Sequence, residues 1–118
     1  MVDSIHYIPI VDGMRKVTEE AGGTARRAKI EGVTVCGKTG TAQNPHGEDH
    51  SVFIGFAPMN NPKIAIAVFV ENAGFGGTWS APIASLMMEF HLNKGEIKDK
   101  AKEQRILDAV ILPKKKDE

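Results

Sequence analysis

Five consecutive residues, Gly37-Lys38-Thr39-Gly40-Thr41, set a cation, two hydroxyls and side-chain-free backbone along one extended stretch. In a strand successive side chains point to opposite faces, so Lys38 and Gly40 share one side and Thr39 and Thr41 the other. A glycine inside a strand weakens it and often marks a place where another backbone comes close. The set suits an anionic, peptide-like ligand laid along the strand, with an ammonium, hydroxyls and main-chain groups in reach. The same residues also describe an ordinary edge strand whose lysine discourages aggregation. The residues alone leave both readings open.

A second pattern overlaps the first. Gly32-Val33-Thr34-Val35-Cys36-Gly37-Lys38-Thr39 satisfies G-x-x-x-x-G-K-S/T, the phosphate-cradling loop of many nucleotidases. That mechanism needs a buried strand before the first glycine, a flexible loop inside the motif and a helix starting at the lysine. Here Ala28-Lys29-Ile30-Glu31 is a poor buried strand, and the four residues inside the motif are β-branched or small and prefer a strand. Gly40, Asn44, Pro45 and Gly47 follow, which no helix tolerates. Nucleotide binding is therefore the minor alternative, and Ala65–Val70 ending in Glu71 only imitates a magnesium-binding strand. A helix beginning at Lys38 would reverse that judgement.

The elements that must position the motif can be read from periodicity. Val33–Thr41, Ser51–Ala57 and Ile64–Glu71 are expected as strands, the last two joined by a connector short enough for an antiparallel pair. Ile64, Ile66, Val68 and Val70 share one face of the third strand, and Ala65, Ala67 and Phe69 the other. Both faces are apolar, which predicts a central strand covered on both sides. Upstream, Val11, Met14, Val17, Thr18 and Ala21 follow helical spacing after Pro9, and Gly22-Gly23 ends that helix. Downstream, Ile83, Leu86, Met87 and Phe90 form the apolar stripe of a helix over Ser80–Leu92, its methionines serving as core filler. The order is α-β-β-β-α, an α/β (α+β) architecture built on an antiparallel sheet. Residues 1–93 form this part, and 94–118 a charged segment with a short helix around Lys98–Ala109 and a solvated basic tail at Lys114-Lys115-Lys116 after Pro113.

Composition excludes several function classes. Among 118 residues, fifteen Lys and Arg balance fifteen Asp and Glu, which argues against a nucleic-acid surface. Apolar residues at 42% and charged residues at 25% indicate an ordinary globular chain rather than a disordered one. Cys36 has no partner for an internal disulfide and reads as a small buried hydrophobe beside Gly37. No apolar run reaches transmembrane length, and Met1–Ile10 lacks the basic start and long apolar core of a signal peptide. His46-Gly47-Glu48-Asp49-His50 clusters possible metal ligands, but in a Gly/Pro loop rather than on separate elements, so a solvated loop and no metal is expected. Gly74-Phe75-Gly76-Gly77 reads as a turn that lets sheet and helix approach, in preference to an anion site.

Lys38-Thr39-Gly40-Thr41-Ala42-Gln43, then His50-Ser51-Val52-Phe53-Ile54-Gly55-Phe56-Ala57-Pro58, Asn61-Pro62-Lys63-Ile64-Ala65-Ile66-Ala67-Val68 and Val70-Glu71-Asn72 resemble the penicillin-binding proteins. The likeness is greatest to the C-terminal part of the transpeptidase domain in elongation-type (class B, penicillin-binding protein 2) members. Gly76-Gly77, Ala81-Pro82-Ile83-Ala84, Pro9-Ile10-Val11-Asp12-Gly13-Met14 and Gly23-Thr24-Ala25 extend it, in order, from about the N-terminus to Leu92. The resemblance implies a penicillin-binding-protein/serine β-lactamase-like fold and D,D-transpeptidase chemistry on peptidoglycan stem peptides, with β-lactams as mimics and no cofactor. It implies that Lys38 supplies positive charge near the substrate's terminal carboxylate, that Thr39 and Thr41 hydrogen-bond that carboxylate, that Gly40 lets the ligand lie flat, and that the Thr41 N–H is an oxyanion donor.

The departures matter as much. The family needs a nucleophilic Ser followed three residues later by Lys, and a Ser-x-Asn elsewhere. Here Ser4, Ser51, Ser80 and Ser85 are followed at that spacing by Tyr7, Ile54, Ile83 and Met88, and none begins Ser-x-Asn. The chain is expected to be a fragment carrying one wall of the active site, catalytically silent, prone to self-association without the N-terminal part of the domain, and without the membrane anchor that holds the parent on the extracytoplasmic face. A non-catalytic binding module of the same fold is the alternative.

Overall fold

In the computed structural model, which describes residues 1–111, three strands pair antiparallel in sequence order: β1 (Cys36–Ala42), β2 (His50–Ala57) and β3 (Ile64–Val70). Thr39 lies opposite Phe53 and Thr41 opposite Ser51, and these in turn face Val68 and Val70. Directly opposed residues share a face, so both threonines stand on the side that carries Phe53 and the isoleucines and valines of β3. Lys38, Ile54 and Ala67 line up on the other side. The sheet order and the antiparallel pairing agree with the sequence reading. A strand, not a helix, runs through Lys38, and this removes the nucleotide-loop alternative.

Helix α1 (Tyr7–Glu19) precedes the sheet, and α2 (Ser80–Leu92) and α3 (Lys100–Leu107) follow it. Pro9 sits in the first turn of α1, and Gly22, at φ +86°, reverses the chain after it. β1 starts at Cys36 rather than Val33 for a polar reason. The Thr18 hydroxyl donates to the Val35 carbonyl, and the Val35 N–H donates to Glu19 Oε1 at 3.1 Å. Side chains of α1 thus occupy the backbone groups that a longer strand would have paired. Val33 instead closes a tight turn on Ile30 through Gly32, at φ +77°. Thr18, fully buried, is what locks helix to strand. The run from Pro113 through Lys116, expected as a tail, lies outside the described residues.

Two packing expectations are corrected. α2 buries Ala81, Ala84, Ser85 and Met88, while Met87 and Phe90 from the expected stripe stay 54% exposed. Ala81, Ala84 and Ser85 let the helix axis approach the sheet closely; Leu86 and Met88 are buried with them, while Met87 and Phe90 are turned away from that contact. β3 is an edge strand rather than a central one: Ala65, Ala67 and Phe69 are exposed on the face away from α2. Its apolar pattern is suited to burial on both sides, but among the described residues only one face receives a helix layer.

The core centres on Phe53, which is fully buried with Val35, Ala57, Ala81, Ala84 and Met88 around it. Its ring occupies the space above two glycines. A Cβ on Gly37 would come within 2.3 Å of Phe53 Cζ, and one on Gly55 within 2.7 Å of Phe53 Cε1. Gly40 is different, because its Cβ would meet nothing closer than Val52 Cβ at 3.4 Å.

These contacts set an order of costs for urea denaturation. Phe53→Ala is expected to lose about 3–5 kcal/mol and Gly37→Ala about 1–3 kcal/mol through overpacking. Gly40→Ala should stay within about 0.5 kcal/mol of the native chain. A Gly40→Ala midpoint as low as that of Gly37→Ala would show that Gly40 serves packing instead of access.

Candidate functional site

Thr39 and Thr41 line a cleft of about 580 Å³ whose other walls come from the turn bearing Thr24, Arg26 and Arg27 and from the segment Phe75–Thr78. The first wall is tied to the strand directly, since Thr24 Oγ1 and Thr39 Oγ1 are 3.0 Å apart and hydrogen-bonded. The second is held by a buried hydroxyl pair. Ser80 N–H donates to Ser51 Oγ at 3.1 Å, Ser80 O–H donates to the Gly76 carbonyl at 2.9 Å, and Ser51 Oγ lies 3.1 Å from the Phe75 carbonyl it can donate to. Ser51 is thus the point where sheet, loop and the start of α2 meet.

The two glycines of that loop have a steric cause. A Cβ on Gly76 would sit 2.2 Å from the Val52 carbonyl oxygen and 2.7 Å from that of Gly40, and one on Gly77 would sit 2.1 Å from that of Thr24. Any side chain there would push the loop off the strand and widen the cleft. The expectation of a close-approach turn agrees with this packing.

The motif is divided between two faces. Thr39 and Thr41 are brought together in the cleft, whereas Lys38 is exposed on the opposite face, its Nζ donating to the Thr39 carbonyl at 2.9 Å. Gly40 shares the Lys38 face, where a side chain would meet only Val52, at ordinary van der Waals distance. β1 pairs with β2 alone, so its outer edge has no partner strand among the described residues. An extended ligand added along that edge would have the ammonium on one side and the two hydroxyls on the other.

The remaining candidates have structural tasks. Asp49 Oδ1 accepts from the Asn44 N–H at 3.0 Å and His50 Nδ1 from the Asn72 N–H at 3.0 Å, so the histidine-acid loop is bound internally. No group of His, Cys, Asp and Glu suited to a metal ion occurs among the described residues. A larger cavity of about 710 Å³ lies between Ile30, Glu89, Leu92 and Lys102, and shares no residue with the motif. Sequence reasoning missed Arg26 and Arg27 as cleft residues. Their signal was available: two adjacent arginines with no acidic residue between Glu20 and Glu31.

Comparison with known proteins follows the same residues. The family described as penicillin binding protein transpeptidase domain matches residues 2–89. The chain is 38% identical over 98 residues to peptidoglycan D,D-transpeptidase MrdA of Haemophilus influenzae, covering 70% of this chain and 15% of that protein. It is 45% identical over 78 residues to stage V sporulation protein D of Bacillus subtilis, covering 58% of this chain and 12% of the other. The crystal structure of Pseudomonas aeruginosa PBP2 in complex with WCK 5153 superposes with a TM-score of 0.71 at 37% identity, over 85% of this chain and 22% of that one. The chain thus spans roughly a seventh of the length of the MrdA relative.

Cys36, next to the motif, is fully buried, and burial pushes its thiol above its ordinary value of 9.0. A raised acid favours the neutral thiol in the folded state. Its contribution to stability is therefore complete below the unfolded value and lost as pH rises through the folded one. The native chain is expected to resist iodoacetamide at pH 8 until denaturant is added, and its urea midpoint to fall above about pH 9. Rapid alkylation of the folded chain would show that the thiol is accessible.

Proposed function

The chain belongs to the penicillin-binding protein transpeptidase domain family, and we propose that it forms the wall of a D,D-transpeptidase active site that holds the terminal carboxylate of a peptidoglycan stem peptide. The observation that carries this reading is the pair of hydroxyls, Thr39 and Thr41, side by side in a cleft beside an unpaired strand edge. In such a site the peptide or a β-lactam lies along β1, with its carboxylate on the hydroxyls and Lys38 contributing positive charge across the strand. The Thr41 N–H would serve as one donor to the oxyanion.

The reaction of the whole enzyme is acyl transfer. A serine oxygen attacks the penultimate D-Ala carbonyl, the terminal D-Ala leaves as its amine, and an amine of another strand then displaces the serine. The serine and its lysine base are not in this sequence. Ser51 and Ser80 are buried and hydrogen-bonded to each other. Ser85 accepts from Lys102 Nζ at 2.8 Å but is fully buried, so no substrate reaches that pair. This supports a chain that is silent by itself and contributes binding within a larger enzyme. Among the described residues no helix is long and apolar enough to cross a membrane.

Two measurements test this reading. Intact-mass spectrometry after incubation with a fluorescent penicillin should show no covalent adduct, and a D-Ala-D-Ala ester should not be hydrolysed. A stable adduct would overturn the assignment. The free β3 edge with Phe69 at 56% exposure, Ile54 at 50% and the apolar Ile5, Ile8 and Ile10 around the start of α1 also predict self-association. Light scattering should find dimers or larger species, and a monodisperse monomer with a cooperative unfolding transition would refute that expectation.

A further inference from the structure

The cleft beside Thr39 and Thr41 carries more positive charge than one carboxylate needs. Arg26 and Arg27 both line it, and no carboxylate does. Arg105 reaches the same rim from α3: its guanidinium stacks 5.1 Å from the Trp79 ring centre, and its Nη2 lies 3.4 Å from the carbonyl of Thr78, a cleft residue. None of these three arginines forms an ion pair among the described residues, although Arg15, Lys16, Lys29, Lys100 and Lys102 all do. The crowding is felt within the cluster. Burial, and then the charge of Arg27, hold the Arg105 guanidinium below its ordinary value.

We propose that Arg26 and Arg27 form a second anionic subsite, so that this cleft selects peptides bearing a free side-chain carboxylate in addition to the C-terminal one. The inference rests on the reading of Thr39 and Thr41 as the terminal carboxylate site. Geometry favours two anionic positions. The hydroxyls project from β1, whereas the arginines stand on a separate turn that Thr24 hydrogen-bonds to Thr39 at 3.0 Å. The cleft, at about 580 Å³, has room for more than one carboxylate and the peptide between them. Guanidinium is the donor that matches a carboxylate in a two-point, planar fashion and brings a positive charge, while each hydroxyl donates a single bond from an uncharged group. A monoanionic ligand would leave most of the arginine charge unanswered. A dianionic one answers both positions.

The test is a titration of the 118-residue chain with two tetrapeptides ending in D-Ala-D-Ala, one with a glutamate side chain and one with glutamine at the same position, followed by amide shifts in 15N NMR. The acid peptide is expected to bind about tenfold more tightly at low salt, with the preference shrinking as salt rises. In R26Q/R27Q the acid peptide's Kd should rise to that of the amide peptide, while T39V/T41V should weaken both peptides. A retained urea midpoint in each variant shows that the cleft is still folded. Equal Kd values for the two peptides on the native chain would overturn the second subsite and leave the terminal carboxylate reading standing. An equal loss of both peptides in R26Q/R27Q would also overturn it, by placing the arginines on the terminal carboxylate. Binding of neither peptide to the native chain would remove the carboxylate-wall reading and this inference together.

Discussion

The Phe53 side chain lies where Gly37 and Gly55 have no Cβ, and most of the structure depends on that contact. Neighbouring glycines on adjacent strands normally weaken a sheet, since each adds backbone entropy to the unfolded chain and offers nothing to pack. Here the missing atoms form a depression shaped for one ring. The ring fills it, draws β1 against β2, and presents a smooth surface to Ala81, Ala84 and Met88 of α2. Interior packing at this density leaves no room for an added methyl at either glycine. The register that follows places Thr39 and Thr41 on the same face as the helix, and therefore beside the loop that leads into it.

Polar contacts do the positioning that apolar packing cannot. Burying Ser51, Ser80 and Thr18 without partners would cost about 1–3 kcal/mol apiece. Each is satisfied instead by groups on a different element: Ser51 by loop and helix, Thr18 by the backbone just before β1. Such bonds are directional, so they set where the Phe75–Thr78 segment and α1 stop, not merely that they approach. The cleft is the space left between the Phe75–Thr78 segment and the turn bearing Thr24, Arg26 and Arg27 that follows α1. Its dimensions are fixed by hydrogen bonds in the core and by carbonyl oxygens packed against Gly76 and Gly77.

How much of this was legible varied with the range of the interaction. The sheet, its order and the helices follow from local periodicity and short connectors, and appear where that periodicity puts them. The strand start did not, because Val35 is claimed by Thr18 and Glu19, residues sixteen and more positions away whose reach no window of sequence reveals. The buried face of α2 was misjudged for a related reason. Hydrophobicity ranks Met87 and Phe90 above Ala81 and Ala84, but a helix pressed onto a flat sheet is selected by size as well as polarity. In the site, the threonines were readable from the motif. Arg26 and Arg27 were visible as an unbalanced basic pair, but their place beside the motif depends on the turn that Thr24 holds against Thr39.

The alternation of a strand also constrains what the Lys-Thr-Gly-Thr run can do. A period of two means that its cation and its hydroxyls can never share a face. A ligand held only in the cleft would meet Thr39 and Thr41 but not Lys38, and one on the other face would meet Lys38 alone. Only at the edge of β1 are both faces in reach at once, and that edge is the one no other described strand occupies. Gly40 lies midway along this edge, with no internal contact that demands glycine. An extended ligand added as the next strand would account together for the composition of the motif, the free edge and a Gly40 that packing does not require. Charge on one side and hydroxyls on the other would then act on the same bound chain.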